Sequence, residues 1–277
     1  AFDTARVYME AEHSFGNWLE KSGRREEVVI LSKCGHPDAM WNKRVNEKEM
    51  RKDLKKSLEE LKTDYIDIYM LHRDDPDTDV AVAVETFNAM HEEGNIGAFG
   101  ASNWTHTRIE EANEYAYKHN LIPFSVSSPN FCLARQIEDP WGGGCVNISG
   151  PENQEARAWY EKNQMPVIAY ASLGRGFFSG RMKSEYADHA SDYLDSFAMT
   201  GYACSDNFER LRRCEIIAER HGVTVAQIAM NWIFSHPLNI FAIASMSKAD
   251  RMKANREALL LQLSDEEIAY LDLETPE

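Results

Sequence analysis

The chain has 277 residues, of which 43% are hydrophobic and 27% are charged, and its formal net charge is −15. This length suits one large domain, and barrels of alternating strands and helices are often this long. The strong negative charge argues against nucleic acid or an anionic membrane surface as a general partner. Apolar runs of about eight residues are too short to span a membrane. The five scattered cysteines favour a reducing, cytoplasmic location over a disulfide scaffold.

Short apolar segments alternate with segments of helical periodicity along the chain. After "AFDTA", which has the character of a strand end, strands are predicted over 28–33, 65–72, 96–102, 124–129, 166–173 and 240–246. Helices are predicted over 46–62, 79–93, 105–119, 152–163, 207–221, 224–235, 248–259 and 264–274. The last of these begins at "LSDEE", a serine cap followed by acidic residues. Two long breaks, 134–151 and 174–206, are predicted to be functional loops.

This alternation predicts an α/β fold with a parallel sheet and helical crossovers. The strands are almost continuously apolar, which is typical of strands buried on both faces. An open, doubly wound sheet would accept the seven strands of this pattern, whereas a closed (β/α)₈ barrel would need one more. Because the chain has no internal repeat and no flexible linker, we expect a single domain over 1–277.

Polar residues end several of the predicted strands, where enzymes with parallel strands build their active sites. They are Asp3 with Tyr8 five residues later, Lys33, His72, Ser102 with Asn103, and Tyr170. An ammonium group near a tyrosine lowers the tyrosine pKa, and a carboxylate holds that ammonium in place. A nearby histidine can donate a hydrogen bond to a substrate oxygen. Together these residue types indicate a site that protonates a carbonyl oxygen during reduction.

Several separated motifs, in order along the chain, resemble those of the aldo-keto reductase family. They are "FDTARVY" (2–8), "ILSKCG" (30–35), "YIDIYMLHRDD" (65–75), "GAFGASNW" (97–104), "VIAYASLGRGFFSG" (167–180) and "SKADRMKANREALLLQLSDEEIAYLD" (247–272). The resemblance implies a TIM (β/α)₈ barrel that transfers a hydride between NADP(H) and an aldehyde, a ketone or the matching alcohol. The strand and helix that precede "FDTA" in the family are absent here, so we expect an incomplete barrel that lacks its first strand–helix unit.

The resemblance also implies roles for individual residues. Tyr8 would be the general acid, Lys33 would lower its pKa, Asp3 would pair with Lys33, and His72 would orient the carbonyl. The cofactor contacts would be Ser102 and Asn103 at the carboxamide, Ser128 and Tyr170 at the nicotinamide ring, Leu173, Gly174 and Arg175 at the pyrophosphate, and Ser247, Lys248, Arg251 and Asn255 at the adenosine end. Trp41, Trp104 and Phe177 would line the substrate pocket, together with Phe178.

Two substitutions depart from the family pattern. Ser128 stands where the family usually has a glutamine, and Ser245 replaces a glycine common before the 2′-phosphate motif. The start of the helix at "SKADR" nevertheless suits a phosphate, because backbone N–H groups and the helix dipole favour negative charge there.

Other functions remain open at this point. The chain could be a cofactor-binding but weakly active barrel that serves as a redox-responsive partner or subunit, or a lyase that uses Lys33 as a Schiff base. The segment "HRDDP" (72–76) resembles a kinase catalytic loop but has Asp79 where that loop needs asparagine. The histidines form no close metal-ligand set, so no metal is expected. The sequence predicts neither the oligomeric state nor the particular substrate.

Overall fold

The computed structural model describes residues 1–275 and contains two compact units, Ala1–Ser128 and Pro129–Glu277. Strands and helices alternate in the first unit, as the sequence predicts, whereas several helices follow each strand of the second unit. In the described part of the chain, no helix has the length and apolar character that crossing a bilayer requires.

The first unit contains five strands and four α-helices. The strands are β1 (Phe2–Asp3), β2 (Ile30–Cys34), β3 (Ile66–Leu71), β4 (Ile96–Ser102) and β5 (Val126–Ser128). The helices are α1 (Ala11–Ser22), α2 (Glu47–Leu61), α3 (Val80–Glu92) and α4 (His106–Lys118). Each strand pairs in parallel with the next one along the chain, from β1 to β5. The carboxyl ends of these strands therefore meet at one edge of the sheet.

The second unit contains two strands and six α-helices within residues 129–275. They are α5 (Gln154–Asn163), β6 (Val167–Ala169), α6 (Ser196–Tyr202), α7 (Ser205–His221), α8 (Val225–Phe234), β7 (Ile240–Ala242), α9 (Ala249–Ala258) and α10 (Asp265–Leu271). Strand β6 pairs in parallel with β7, with Val167 opposite Ile240.

Side-chain caps fix the starts of several predicted helices. The side chain of Asn46 accepts a hydrogen bond from the backbone N–H of Glu49 and begins α2, and Thr105 caps α4 in the same way. Ser264 and Glu267 form the capping box that starts α10, which confirms the cap predicted from "LSDEE".

An aromatic cluster forms much of the core of the first unit. Phe87 of α3 stacks on Phe99 of β4 with ring centroids 5.4 Å apart, and Phe124 meets Phe87 edge-on at 5.8 Å. All three side chains are buried. Packing of this kind holds the helices on the sheet and leaves the strand ends free to present polar residues.

Two helices were not predicted from the sequence. Helix α1 carries few apolar residues and has Gly16 at its centre, where a β-carbon would lie 2.8 Å from the Cα of Leu61 in α2. This close approach brings α1 against α2, and Leu19 is buried on the same side of the helix as Gly16. Helix α6 has only seven residues and lies inside the segment 174–206, which was predicted as a loop. The remainder of that segment includes short 3₁₀ turns.

Candidate active site

Lys33, which is buried, and Asp3, which is half-buried, form an ion pair at the carboxyl ends of β1 and β2. The sheet register sets Asp3 opposite Leu31, two residues before Lys33. The Lys33 Nζ donates hydrogen bonds to Asp3 Oδ1 at 2.5 Å and to the carbonyl oxygen of Thr4 at 3.0 Å. Burial lowers the pKa of Lys33, while the carboxylate of Asp3 opposes that shift. The predicted pairing of these two residues is therefore present.

Tyr8 lies in the loop between β1 and α1, directly over this ion pair. The Lys33 Nζ is 5.2 Å from the centroid of the Tyr8 ring. The backbone N–H of Arg6 donates to the carbonyl oxygen of Lys33 at 3.1 Å, which ties the loop to β2. Tyr8 is 42% exposed, so its ring remains accessible to a ligand.

The pKa of Tyr8 differs from the sequence expectation. Desolvation of the phenol and the negative charge of Asp3 raise this pKa, and the positive charge of Arg73 opposes them. Lys33 was expected to lower it, but the Lys33 ammonium is directed to Asp3 and Thr4. The raised pKa means that the Tyr8 phenol is protonated at neutral pH.

His72 completes the group at the end of β3. Its ring meets the ring of Tyr8 edge-on with centroids 5.5 Å apart, and it meets His36 at 4.9 Å. Burial and the nearby positive charge of Lys33 hold the pKa of His72 well below its usual value. The imidazole is therefore neutral at physiological pH. Within residues 1–275 its buried Nδ1 has no hydrogen-bond partner.

Ser102, Asn103 and Ser128 form a hydrogen-bonded group beside His72. Ser102 Oγ donates to the carbonyl oxygen of Ser128 at 2.8 Å, and Asn103 Nδ2 donates to the carbonyl oxygen of His72 at 3.0 Å. Asn103 has a left-handed backbone (φ 61°), which asparagine tolerates better than most residues. This amide and hydroxyl pair has the chemistry to bind a carboxamide.

In the second unit, the predicted pyrophosphate segment forms a tight turn after β6. Gly174 and Arg175 both have positive φ, and the turn is a short 3₁₀ helix. Arg175 Nε donates to both oxygens of Asp195, at 3.0 and 3.1 Å. Trp141 lies edge-on to Tyr170 at 5.9 Å, and the Arg175 guanidinium is 5.7 Å from the Trp141 ring. The Arg175 side chain is therefore already paired within its own unit.

The predicted adenosine-end residues surround the beginning of α9. Lys248 is the N-cap residue and Arg251 lies in the first turn. Both are exposed, as is Ser247, whereas Asn255 is half-buried. Neither cation forms an ion pair within residues 1–275, and Asp250 is the acidic residue in the same turn. An uncapped helix start with two available cations fits a phosphate group, which makes the donor set compatible with NADP(H).

The three predicted substrate-pocket residues lie in different surroundings. Trp41 is 59% exposed. Trp104 is buried against Phe124, with centroids 5.5 Å apart, and Phe177 is buried against Phe208 at 5.2 Å. Trp104 and Phe177 thus serve in packing, and Trp41 is the one of the three with a ring open to solvent.

Sequence reasoning missed three charged or polar residues close to the group. Arg73 follows His72 and is buried, and His36 contacts the His72 ring. Glu12 is a second buried carboxylate that pairs with Arg6 and accepts a 2.6 Å hydrogen bond from the Ser32 hydroxyl. Arg73 could have been identified from the sequence as a site residue, because it directly follows a histidine at the end of a strand. The burial of Glu12 depends on the packing of α1, which the sequence did not predict.

Comparisons with known proteins identify the family of the chain. The sequence model of the Aldo/keto reductase family matches residues 1–273. The chain is 25% identical over 273 residues to Aldo-keto reductase str7 of Strobilurus tenacellus, covering 97% of this chain and 74% of that protein. It is 26% identical over 261 residues to Aldo-keto reductase yakc [NADP(+)] of Schizosaccharomyces pombe, covering 92% of this chain and 71% of that protein.

A solved structure shares the fold. The crystal structure of the thermostable aldo-keto reductase Tm1743 with the inhibitor epalrestat superposes with a TM-score of 0.70 at 24% identity. The match covers 98% of this chain and 80% of that one. The predicted fold class, an α/β barrel of the aldo-keto reductase type, is thereby confirmed. With the family model matching nearly all of its length, the chain belongs to the aldo/keto reductase family of oxidoreductases.

Proposed function

We propose that this protein is an NADP(H)-dependent carbonyl reductase in which Tyr8 donates the proton. The observation that carries the proposal is the convergence of Asp3, Tyr8, Lys33 and His72 at one sheet edge of the first unit. A relative carries NADP(+) in its name, and the two cations at the start of α9 supply the charge that a 2′-phosphate needs. The substrates are aldehydes, ketones or the matching alcohols.

The reaction needs a proton at the carbonyl oxygen while a hydride arrives at the carbonyl carbon. NADP(H), when bound, supplies or accepts that hydride. The Tyr8 phenol is protonated at neutral pH, so its hydroxyl can donate to the oxygen. Its raised pKa makes it a weaker acid than free tyrosine, and the positive charge of Arg73 opposes that shift. Neutral His72 binds and orients the same oxygen by a hydrogen bond. The positive charge of Lys33, held by Asp3, stabilises the negative charge that develops there.

The remaining site residues are proposed to bind the cofactor. In the first unit, Ser102 and Asn103 bind the carboxamide, and Ser128 lies beside them. In the second unit the proposed contacts are Tyr170, Leu173, Gly174, Arg175, Ser247, Lys248, Arg251 and Asn255. Arg175 would need to share or leave its ion pair with Asp195 to meet a pyrophosphate.

Replacing Tyr8 by phenylalanine tests the proposal. Tyr8→Phe removes the proton donor and keeps the ring, so kcat for aldehyde reduction should fall by about 10²- to 10⁴-fold. NADPH affinity should stay unchanged, because the hydroxyl is assigned to the carbonyl and not to the cofactor. Initial rates of NADPH oxidation across a panel of aldehydes, with fluorescence titration of NADPH, measure both quantities.

Tyr117→Phe is the matched control, since Tyr117 is an exposed tyrosine on α4. Full activity of Tyr8→Phe would remove Tyr8 as the proton donor. NADPH binding without turnover on any member of the panel would favour the weakly active, cofactor-binding alternative. If borohydride reduction left a carbonyl compound covalently attached to Lys33 as a secondary amine, the lyase alternative would be favoured.

A further inference from the structure

Arg73, at the end of β3 directly after His72, is a buried arginine whose side chain has no partner in the described part of the chain. Only 8% of its surface is exposed. Within residues 1–275 it makes no hydrogen bond and no ion pair, and its buried Nε has no acceptor. Because an unpaired buried charge is costly, buried arginines are normally paired. The described chain therefore does not provide the anion that this guanidinium needs.

Other buried arginines of the protein do have partners. Arg213 is 6% exposed and donates from Nε to Glu209 at 2.6 Å. Arg210 is 7% exposed and donates to the Asn207 side chain at 3.4 Å and the Asp272 carbonyl oxygen at 3.5 Å. Arg73 differs from both, because its side chain has no hydrogen-bond or ion-pair partner within residues 1–275.

The carboxylates near Arg73 in the sequence and in the site are already bound to other cations. These pairs are Asp3 with Lys33 at 2.5 Å, Asp74 with Arg108 at 3.5 Å and Asp75 with Lys43 at 2.6 Å. The positive charge of Arg73 instead acts on the proposed site, where it lowers the pKa of Tyr8, His36 and His72. Its guanidinium is thus within electrostatic reach of the proton donor.

We propose that Arg73 binds the carboxylate of an acidic carbonyl substrate, so that this protein prefers aldehydes or ketones that carry a carboxylate. The inference rests on the proposed reductase function. A guanidinium binds a carboxylate through two parallel hydrogen bonds, which fixes the orientation of the substrate. A local cation is also required to attract an anion to a protein with a net charge of −15.

Matched substrates test this preference. Each of the three carboxybenzaldehyde isomers differs from its own methyl ester by one negative charge. The three isomers differ from one another in the distance between the carboxylate and the carbonyl group. The wild type should reduce at least one acid with a higher kcat/KM than its ester. Because Arg73 also acts on Tyr8 and His72, Arg73→Gln can change the reduction of both compounds, but it should lower kcat/KM for that acid by about 10- to 100-fold more than kcat/KM for its ester. Because lysine keeps the positive charge, the kcat/KM of Arg73→Lys for that acid should lie between the values for the wild type and for Arg73→Gln. Equal losses for acid and ester would overturn the proposal.

Stability gives an independent readout. Without ligand, Arg73→Gln should unfold at a higher urea concentration than the wild type, because the variant no longer buries an unpaired charge. Arg210→Gln is the matched control: it loses partnered contacts, so it should unfold at a lower urea concentration and keep the acid-to-ester ratio. A lower unfolding midpoint for Arg73→Gln would show that Arg73 is paired and would contradict the inference.

Binding measurements separate this inference from the proposed function and from a cofactor phosphate. If the protein reduces no carbonyl compound, benzoate and benzamide serve as probes in thermal-shift titrations. Benzoate should then stabilise the wild type more than it stabilises Arg73→Gln, and equal effects would overturn the carboxylate site. NADPH affinity should be the same in both proteins. A weaker NADPH affinity in Arg73→Gln would assign Arg73 to a cofactor phosphate and overturn the proposal.

Discussion

Lys33 and His72 are almost completely buried, and each is held in a charge state that suits its proposed role. Hydrogen bonds from the Lys33 ammonium to a carboxylate and a carbonyl oxygen favour its charged form, whereas burial lowers its pKa. His72 has no acid beside it, and it stays neutral because burial and neighbouring cations disfavour its protonation. These opposite arrangements give the site one fixed cation and one neutral hydrogen-bonding ring.

The neutral state of His72 predicts a loss of stability in acid. The folded pKa lies well below the ordinary value of about 6.5, so below that pH the unfolded chain binds a proton that the folded chain refuses. The contribution of neutral His72 to the free energy of unfolding is fully present above pH 6.5. It falls by about 1.4 kcal/mol for each pH unit below 6.5. Urea denaturation at pH 7.5 and 5.5 measures this effect.

Between pH 7.5 and 5.5, the free energy of unfolding of His72→Gln should fall by about 1.4 kcal/mol less than that of the wild type. His236, whose pKa is also lowered by burial, remains in both proteins and cancels in the comparison. His36 contacts the His72 ring, so the measured difference includes the effect of His72 on His36. An identical pH dependence of the two proteins would mean that His72 accepts a proton in the folded state.

Helices α1 and α2 pack through a glycine contact, which makes Gly16 a sensitive position. In an exposed helix, replacing glycine by alanine stabilises by about 0.5–1 kcal/mol. Here the new methyl group would clash with the carbonyl oxygen of Glu60 and the backbone of Leu61. Gly16→Ala should therefore destabilise the protein by about 1–3 kcal/mol in urea denaturation. Asn17→Ala, at the exposed neighbouring position, should be neutral or stabilising. Stabilisation by both changes would disprove the close contact.

Asp272, the C-cap residue of α10, is predicted to weaken the fold at high pH. Burial raises the pKa of Asp272 to about 6, and the hydrogen bond from Trp232 Nε1 at 3.0 Å opposes the shift. A raised folded pKa means that its stability contribution is present below about pH 4 and is lost as pH rises through 6.

Asp272→Asn keeps an oxygen for Trp232 and is never charged. At pH 8 this variant should be more stable than the wild type by roughly 2 kcal/mol. The difference should disappear near pH 4, where the wild-type carboxyl is protonated. A variant that is less stable than the wild type at both pH values would show that the charged carboxylate is favourable.

Much of the fold follows from the sequence, and the exceptions have physical reasons. Helices α2, α3 and α4 lie within one residue of their predicted bounds, because their apolar spacing and capping residues agree. Helix α1 depends on a tertiary glycine contact, and α6 is too short to show periodicity.

In the candidate site, too, the sequence predicts some features and not others. Asp3, Lys33 and His72 were predictable because parallel strands bring their carboxyl ends to one edge. Burial decides the remaining features, and burial is a property of the packed molecule. The low pKa of His72 and the isolation of Arg73 both depend on it. The pairing of Arg175 with Asp195, twenty residues away, depends on the fold of an irregular segment.

Across the whole molecule, the negative net charge makes each local cation important for an anionic cofactor. Arg251→Glu reverses the charge in the first turn of α9, so it should weaken NADPH binding by about 10- to 100-fold. The affinity for NADH, which lacks the 2′-phosphate, should change much less. Fluorescence titration with both nucleotides measures this selectivity.

Lys253→Glu is the control for Arg251, since Lys253 lies on the same helix and is 80% exposed beside Glu257. It changes the net charge equally, so it should leave the ratio of the two affinities unchanged. Equal losses for NADPH and NADH in Arg251→Glu would remove this helix as the 2′-phosphate site.

The central claim is that this protein transfers a hydride from the nicotinamide to a carbonyl carbon, with Tyr8 as the proton donor. NADPH deuterated at the reactive C4 position, incubated with the wild type and an aldehyde, tests it most directly by mass spectrometry of the alcohol product. We expect one deuterium on the carbinol carbon and about 10²- to 10⁴-fold slower formation of that product with Tyr8→Phe. An alcohol without deuterium, or an equal rate with Tyr8→Phe, would contradict the account.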